Sequence, residues 1–299
     1  MNTNRWSGVY PALTTKFMAD YSLDFDAMAE HLEFQLDAGV DGLIILGSLG
    51  ENSTLNFEEK VQLTRFFYEK VDQRVPLLAC IAESDTRDAC RFAARAQEIG
   101  IDGFMLLPPM RYPSDQAETH AYLNEVAAAS DLPVMLYNNP VAYGTDLGPA
   151  DFQLLAANPK FVAIKESSAN TRRIPDIRKA VGDRYAIFCG VDDLAYECFS
   201  LGATGWVAGL VVAFPKETVR LYDLMRAQKW AEARVLYEWF LPLLHLDIGP
   251  KFVQQIKLVE EIIGVGTARV RSPRLELSDA ESRHVHHVVQ TALADRPAL

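Results

Sequence analysis

Eight short apolar runs rich in β-branched residues, amphipathic stretches between them, and one helix-to-strand joint spelled twice in nearly the same letters predict an α/β fold. The expected form is a (β/α)8 TIM barrel with a C-terminal helical extension. The runs fall at 9–13, 42–46, 77–81, 103–107, 134–137, 161–165, 185–189 and 205–208. Strands this apolar suit a parallel sheet covered by helices. Between them, residues 26–37, 57–71, 89–99 and 116–128 carry apolar side chains at helical spacing, several preceded by Asp, Ser or Thr and followed by Gly. The joint reads Ala38-Gly39-Val40-Asp41-Gly42-Leu43 and again Ile99-Gly100-Ile101-Asp102-Gly103-Phe104. Gly39 and Gly100 are placed to end helices in the left-handed region, and the aspartate leads into the next strand. The barrel is expected to occupy residues 1–226. Three further helical stretches, 230–246, 251–263 and 278–293, form a region 227–299 that packs on the barrel or on a neighbouring subunit, since no Gly/Ser-rich linker separates the two parts.

The chain has 299 residues, 49% of them hydrophobic and 23% charged, with a formal net charge of −11. That composition buries a large core, and the acidic balance argues against nucleic acid and anionic membranes as partners, because both need a basic face. The start Met1-Asn2-Thr3-Asn4-Arg5-Trp6 lacks the pattern of a signal peptide, and no apolar run approaches the roughly 18 residues of a membrane span, so a cytoplasmic location is expected. Cys80, Cys90, Cys189 and Cys198 form no C-x-x-C pair and match no zinc spacing. Cys80 and Cys189 end strand-like runs, where a small buried thiol or a substrate-contacting one is expected.

Reactive groups of such a barrel belong at the C-terminal ends of its strands. Lys165 stands there in Phe161-Val162-Ala163-Ile164-Lys165-Glu166-Ser167-Ser168. Burial disfavours an ammonium ion and lowers the pKa of the amine, turning it into a nucleophile towards a ketone. Tyr137 lies 28 residues earlier, at the end of Pro133-Val134-Met135-Leu136-Tyr137-Asn138-Asn139-Pro140, about one strand-helix-strand unit away. Neighbouring parallel strands are about 5 Å apart, so the two side chains should meet. A third polar strand end, Gly47-Ser48-Leu49-Gly50-Glu51-Asn52, offers close backbone approach and N–H groups to a carboxylate.

These three motifs together resemble the dihydrodipicolinate synthase and N-acetylneuraminate lyase family, and the resemblance runs through the barrel into the tail. It implies that Lys165 forms a Schiff base with a 2-keto acid, that Tyr137 relays protons, and that the segment at Gly47, Ser48 and Leu49 holds the substrate carboxylate. No cofactor and no metal are implied, and a homo-oligomer, a tetramer built as a dimer of dimers, is. Tyr112 then either reaches across to a neighbouring subunit or packs on its own loop prolines. Gly190, Asp192 and Val207 complete the expected substrate-binding set. Asp192 or Asp193, in Gly190-Val191-Asp192-Asp193, is expected to accept a hydrogen bond from a substrate hydroxyl or amine, with an N-cap role the alternative for Asp193.

The departures narrow the substrate. Leu49 stands where the family usually carries a second hydroxyl, Met110 where the synthases have a relay tyrosine, and Ala142 where they have an arginine for the second substrate's carboxylate. Losing that guanidinium disfavours lysine biosynthesis. The motifs Gly-Glu-Asn, Tyr137-Asn138-Asn139-Pro140-x-x-Tyr143-Gly144, Gly190-Val191-Asp192-Asp193 and Leu244-His245-Leu246-Asp247 most resemble the 1-pyrroline-4-hydroxy-2-carboxylate deaminases of hydroxyproline degradation, which form 2,5-dioxopentanoate and ammonia. A 2-keto-3-deoxy sugar acid aldolase or dehydratase is the alternative. Behind both stand a dihydrodipicolinate synthase and a catalytically silent keto-acid binder. His284, His286 and His287 read as a solvated helix face and His245 as a buried structural histidine, while Trp206 reads as core or pocket wall.

Overall fold

The computed structural model describes residues 6–109 and 112–298, so Met110 and the first five residues lie outside the described residues. Eight parallel strands run β1 (Gly8–Pro11), β2 (Leu43–Ile45), β3 (Leu77–Ile81), β4 (Gly103–Leu106), β5 (Val134–Asn138), β6 (Phe161–Glu166), β7 (Ala186–Cys189) and β8 (Gly205–Ala208). Each pairs with its sequence neighbour, β1 pairs with β8, and a bridge from Ala12 to Ile44 brings β1 onto β2, so the sheet curls into the expected barrel. β5 and β6 each run one residue past their expected ends. β2 stops early because Leu46 turns to φ 61°, a left-handed conformation at the start of the Gly47 loop.

The outer layer is α1 (Phe25–Leu36), α2 (Phe57–Val71), α3 (Thr86–Ile99), α4 (Gln116–Ala128), the short α5 (Pro140–Tyr143) and α6 (Pro149–Leu155), then α7 (Arg173–Val181), α8 (Ala195–Ser200) and α9 (Pro215–Arg226). The capping signals act as their chemistry requires: Asn56 and Asp115 each form a reciprocal capping box with the glutamate three residues on. The repeated joint has a specific use. Gly39 and Gly100 take φ 83° and 105°, and the aspartates after them reach sideways, Asp41 accepting from Val9 N at 2.8 Å and Asp102 from Leu77 N at 2.8 Å. Each carboxylate thus closes the N-terminal edge of an adjacent strand.

The register puts Tyr10, Cys80, Met105, Met135, Tyr137, Lys165, Phe188 and Val207 on the inner face. Phe188 and Tyr10 meet edge to face, centroids 5.2 Å apart, and fill the barrel interior. Cys80 and Cys189 are fully buried, as a small thiol at a strand end should be.

The tail is α10 (Trp230–Leu244), α11 (Phe252–Ile262) and α12 (Asp279–Ala294). Trp239 Nε1 donates to Ala292 O at 3.0 Å and ties α12 to α10. His284, His286 and His287 are exposed on α12. Among the described residues no helix is long and apolar enough to cross a membrane.

Candidate active site

Cross-strand register fixes the centre of the site. Tyr137 on β5 stands opposite Lys165 on β6, and Lys165 opposite Phe188 on β7. The ammonium nitrogen lies 4.2 Å from the centroid of the Tyr137 ring, and both residues are buried, Lys165 8% and Tyr137 6% exposed. Burial lowers the pKa of Lys165; Tyr143, Asp247, Cys80 and Asp192 pull the other way without restoring it. No carboxylate forms an ion pair with its amine among the described residues. Gly190 makes this packing possible: a Cβ there would fall 2.0 Å from Ser167 Oγ and 2.7 Å from Lys165 Cγ.

Burial pushes the Tyr137 phenol up to about 12, so it keeps its proton at neutral pH. Asn139 Nδ2 donates to its oxygen at 3.0 Å, leaving the hydroxyl proton free to be given away. The same Asn139 caps α5 by accepting from Ala142 N at 3.0 Å, and that short helix carries Tyr143 back over the barrel mouth. The Tyr143 ring packs edge to face on Tyr137, centroids 5.8 Å apart, and its hydroxyl is hydrogen-bonded to Ser48 Oγ. Ser48, Tyr143, Tyr137 and Lys165 therefore form one contiguous set drawn from the loop after β2, α5, β5 and β6.

Gly47 presents open backbone to the interior, its nearest neighbour for a hypothetical Cβ being Met105 Cε at 3.9 Å. Leu49 is buried, and the loop is held by Thr15 Oγ1 donating to Gly50 O at 2.6 Å. Glu51, at φ 56°, is wholly buried; it accepts Lys257 Nζ at 2.7 Å and Arg271 N at 3.0 Å, which fastens the loop to the tail. Val207 faces the interior opposite Tyr10 and is buried.

Three sequence expectations need correction. Asp192 is not an open acceptor, since its two oxygens take Trp206 Nε1 at 2.9 Å, Gly209 N at 3.1 Å and Leu210 N at 2.8 Å. It builds the turn after β8 instead, and Trp206 is core with a satisfied N–H. Asp193 caps nothing: α8 starts at Ala195 without a side-chain cap, and the Asp193 carboxylate faces His245 Nε2 at 3.6 Å. His245, half exposed, is therefore not the buried histidine expected. Tyr112 is likewise 53% exposed. Tyr143 and Asp247 were present in the sequence motifs but carried no assigned role, because spacing alone does not say which loop residue turns back over the mouth.

A buried, unpaired lysine and a phenol on adjacent strand ends of a (β/α)8 barrel define a class I, lysine Schiff-base lyase. The chain belongs to the Dihydrodipicolinate synthetase family, whose model matches residues 5–292. It is 30% identical to the 4-hydroxy-tetrahydrodipicolinate synthase of Methanoculleus marisnigri over 95% of this chain and 98% of that one. The solved structure of the 4-hydroxy-tetrahydrodipicolinate synthase from Methylacidiphilum fumariolicum SolV superposes with TM-score 0.93 at 27% identity, covering 97% of this chain and 98% of its own. YagE from E. coli K12, a prophage protein of the same family solved in complex with pyruvate, gives 0.91 at 28%, covering 96% and 99%. The curated relatives thus bear the name of the synthase that the sequence had placed behind two other activities.

Proposed function

We propose that Lys165 and Tyr137 are the catalytic pair of a Schiff-base deaminase that converts 1-pyrroline-4-hydroxy-2-carboxylate to 2,5-dioxopentanoate and ammonia. The observation that carries the reading is Ala142. It is an exposed methyl on α5, at the position where the synthases that this chain resembles hold a guanidinium for a second carboxylate. A substrate with a single carboxylate, held by the Gly47, Ser48 and Leu49 loop, fits that pocket. Val207 and Gly190 act as its walls.

The chemistry uses the free amine that burial of Lys165 favours and the proton that burial keeps on Tyr137. The free amine of Lys165 adds to C2 of the cyclic imine, and the ring C2–N bond breaks as Tyr137 gives its proton to the departing nitrogen. The resulting iminium acidifies C3, whose proton returns to the Tyr137 phenolate. The C4 hydroxyl then leaves as water and a C3–C4 double bond forms. Shifting that double bond to C4–C5 gives an enamine, and water releases ammonia from C5 and the 2-oxo acid from Lys165.

The names of the relatives favour a second reading, condensation of pyruvate with a semialdehyde by a synthase. Both reactions are assayed on the purified protein. Ammonia release from the hydroxypyrroline that disappears in Lys165→Ala is the expected result. Wild-type protein that releases no ammonia yet condenses pyruvate with aspartate semialdehyde makes it a synthase.

A further inference from the structure

We propose that Asp247, carried over the barrel mouth by the tail, recognises the hydroxyl group on C4 of the acid bound to Lys165 and supplies the proton with which that hydroxyl leaves. The assignment rests on the substrate class proposed above and names the residue that would select it.

Helix α10 ends at Leu244 and one 3-10 turn, His245–Asp247, follows, anchored by the buried Leu246. This turn lays the Asp247 carboxylate on the backbone just past β8: a Cβ on Gly209 would fall 2.5 Å from Oδ1 and 2.7 Å from Cγ and Oδ2. Gly209 is itself held by Asp192, which accepts its N–H at 3.1 Å. Asp192 thus builds the seat and Asp247 occupies it.

Among the described residues the Asp247 carboxylate has no hydrogen bond and no ion pair, whereas Asp192 beside it is saturated with three donors. Lys165 and Tyr137 both feel the Asp247 charge, yet the lysine makes no direct ion pair with it. The amine that binds C2 and the Asp247 carboxyl group are therefore neighbours at the barrel mouth that interact through charge without direct contact. Burial, with Asp192 and then Asp193 adding negative charge nearby, holds Asp247 well above the ordinary carboxylate range despite the opposing pull of Lys165. A protonated carboxyl group donates one hydrogen bond and accepts another, which suits an alcohol. In the elimination the C4–O bond breaks, its electron pair stays on oxygen, and the Asp247 proton completes a water molecule. The C3 proton, taken by Tyr137, balances the step.

The test uses borohydride trapping on the intact enzyme with a matched pair, 2-oxobutanoate and 4-hydroxy-2-oxobutanoate, counting label on Lys165 as intact or cleaved adduct by mass. Wild-type protein is expected to reach half-labelling at a concentration at least tenfold lower for the hydroxylated acid. Asp247→Ala should erase that preference, and Gly209→Ala, whose new methyl displaces the carboxyl group without removing it, should weaken it. Asp247→Asn should slow ammonia release about 100-fold. A wild-type enzyme that labels equally with both acids overturns the proposal, as does an Asp247→Ala variant that keeps the preference. Asp247-dependent selectivity without any ammonia from the hydroxypyrroline would retire the deaminase reading and the proton transfer with it, leaving Asp247 as the residue that recognises the hydroxyl. Ammonia release undiminished in Asp247→Asn would do the reverse.

Discussion

Lys257 and Lys165 are both buried amines, yet one has a carboxylate at 2.7 Å and the other has none. Lys257 on α11 donates to Glu51 and, at 2.9 Å, to Thr15 O, and its charge lies 4.6 Å from the Phe17 ring. Beside it Lys16 pairs with Glu260 at 2.6 Å, and Thr14 Oγ1 donates to the same carboxylate at 2.8 Å. His31 stays neutral there, with burial lowering it to about 4 while its Nε2 lies 2.7 Å from Val212 O. Each carboxylate in this cluster has a cation, Glu51 also facing Arg274 Nη1 at 3.7 Å, and the cluster fastens the tail to the β1 and β2 loops. At the barrel mouth the account does not close: Lys165 lacks a counter-ion and the Asp247 carboxylate lacks a donor. A matched buried charge is scaffold, and an unmatched one is held ready to react.

Removing each lysine should separate the two roles. Lys165→Met should lower turnover by about 10⁵-fold, as loss of a covalent nucleophile does, while the unfolding midpoint stays level or rises because an unpaired buried amine has gone. Lys257→Met takes the 2.7 Å cation from buried Glu51, leaving only Arg274 at 3.7 Å, and should destabilise the fold by about 3–5 kcal/mol, read by urea or thermal unfolding. A midpoint that falls as far in Lys165→Met as in Lys257→Met would erase the distinction. Next in size, Tyr137→Phe should reduce turnover by about 10²–10⁴-fold, the range expected for a positioned proton donor. It should still form a borohydride-trappable pyruvate adduct, because the amine is untouched. Loss of the adduct would make Tyr137 part of the architecture of the lysine instead.

Much of the barrel was legible in the chain because its signals are local. Apolar runs, caps and the Gly-x-Asp-Gly joint each depend on a few neighbouring residues, and the bounds of α2 and α4 match their expected ranges. Lys165 was legible for a related reason, as a charge inside an apolar strand. The register then placed Tyr137 beside it. The rest depends on contacts between distant parts of the chain. Nothing in Phe252-Val253-Gln254-Gln255-Ile256-Lys257 distinguishes Lys257 from a solvated helical lysine, since Glu51 lies 206 positions away. Asp192 and Asp247 are both aspartates after short apolar stretches. Only the packing of β8 shows that Trp206, Gly209 and Leu210 consume the first and leave the second open.

The smallest expected effect is in the pH dependence of stability, and its sign distinguishes the two unmatched groups. The ordinary value for a lysine is 10.5, and Lys165 lies below it when folded. Between its folded value and 10.5 the unfolded chain therefore binds more protons than the native one. Native stability should rise with pH through that window as the penalty for an uncharged amine is relieved. Asp247 is displaced the other way, above its ordinary 3.8, so the native state holds the extra proton and stability should fall as pH rises past 3.8 towards the folded value. Urea unfolding of wild type, Lys165→Met and Asp247→Asn across pH 4 to 10 separates the two. The lysine variant should lose the alkaline rise, and the aspartate variant should lose the fall that begins in the acid range. Slopes that survive both substitutions would assign the titration to the Lys16, His31 and Lys257 cluster, where burial also lowers the basic groups, and would move the unmatched charge away from the barrel mouth.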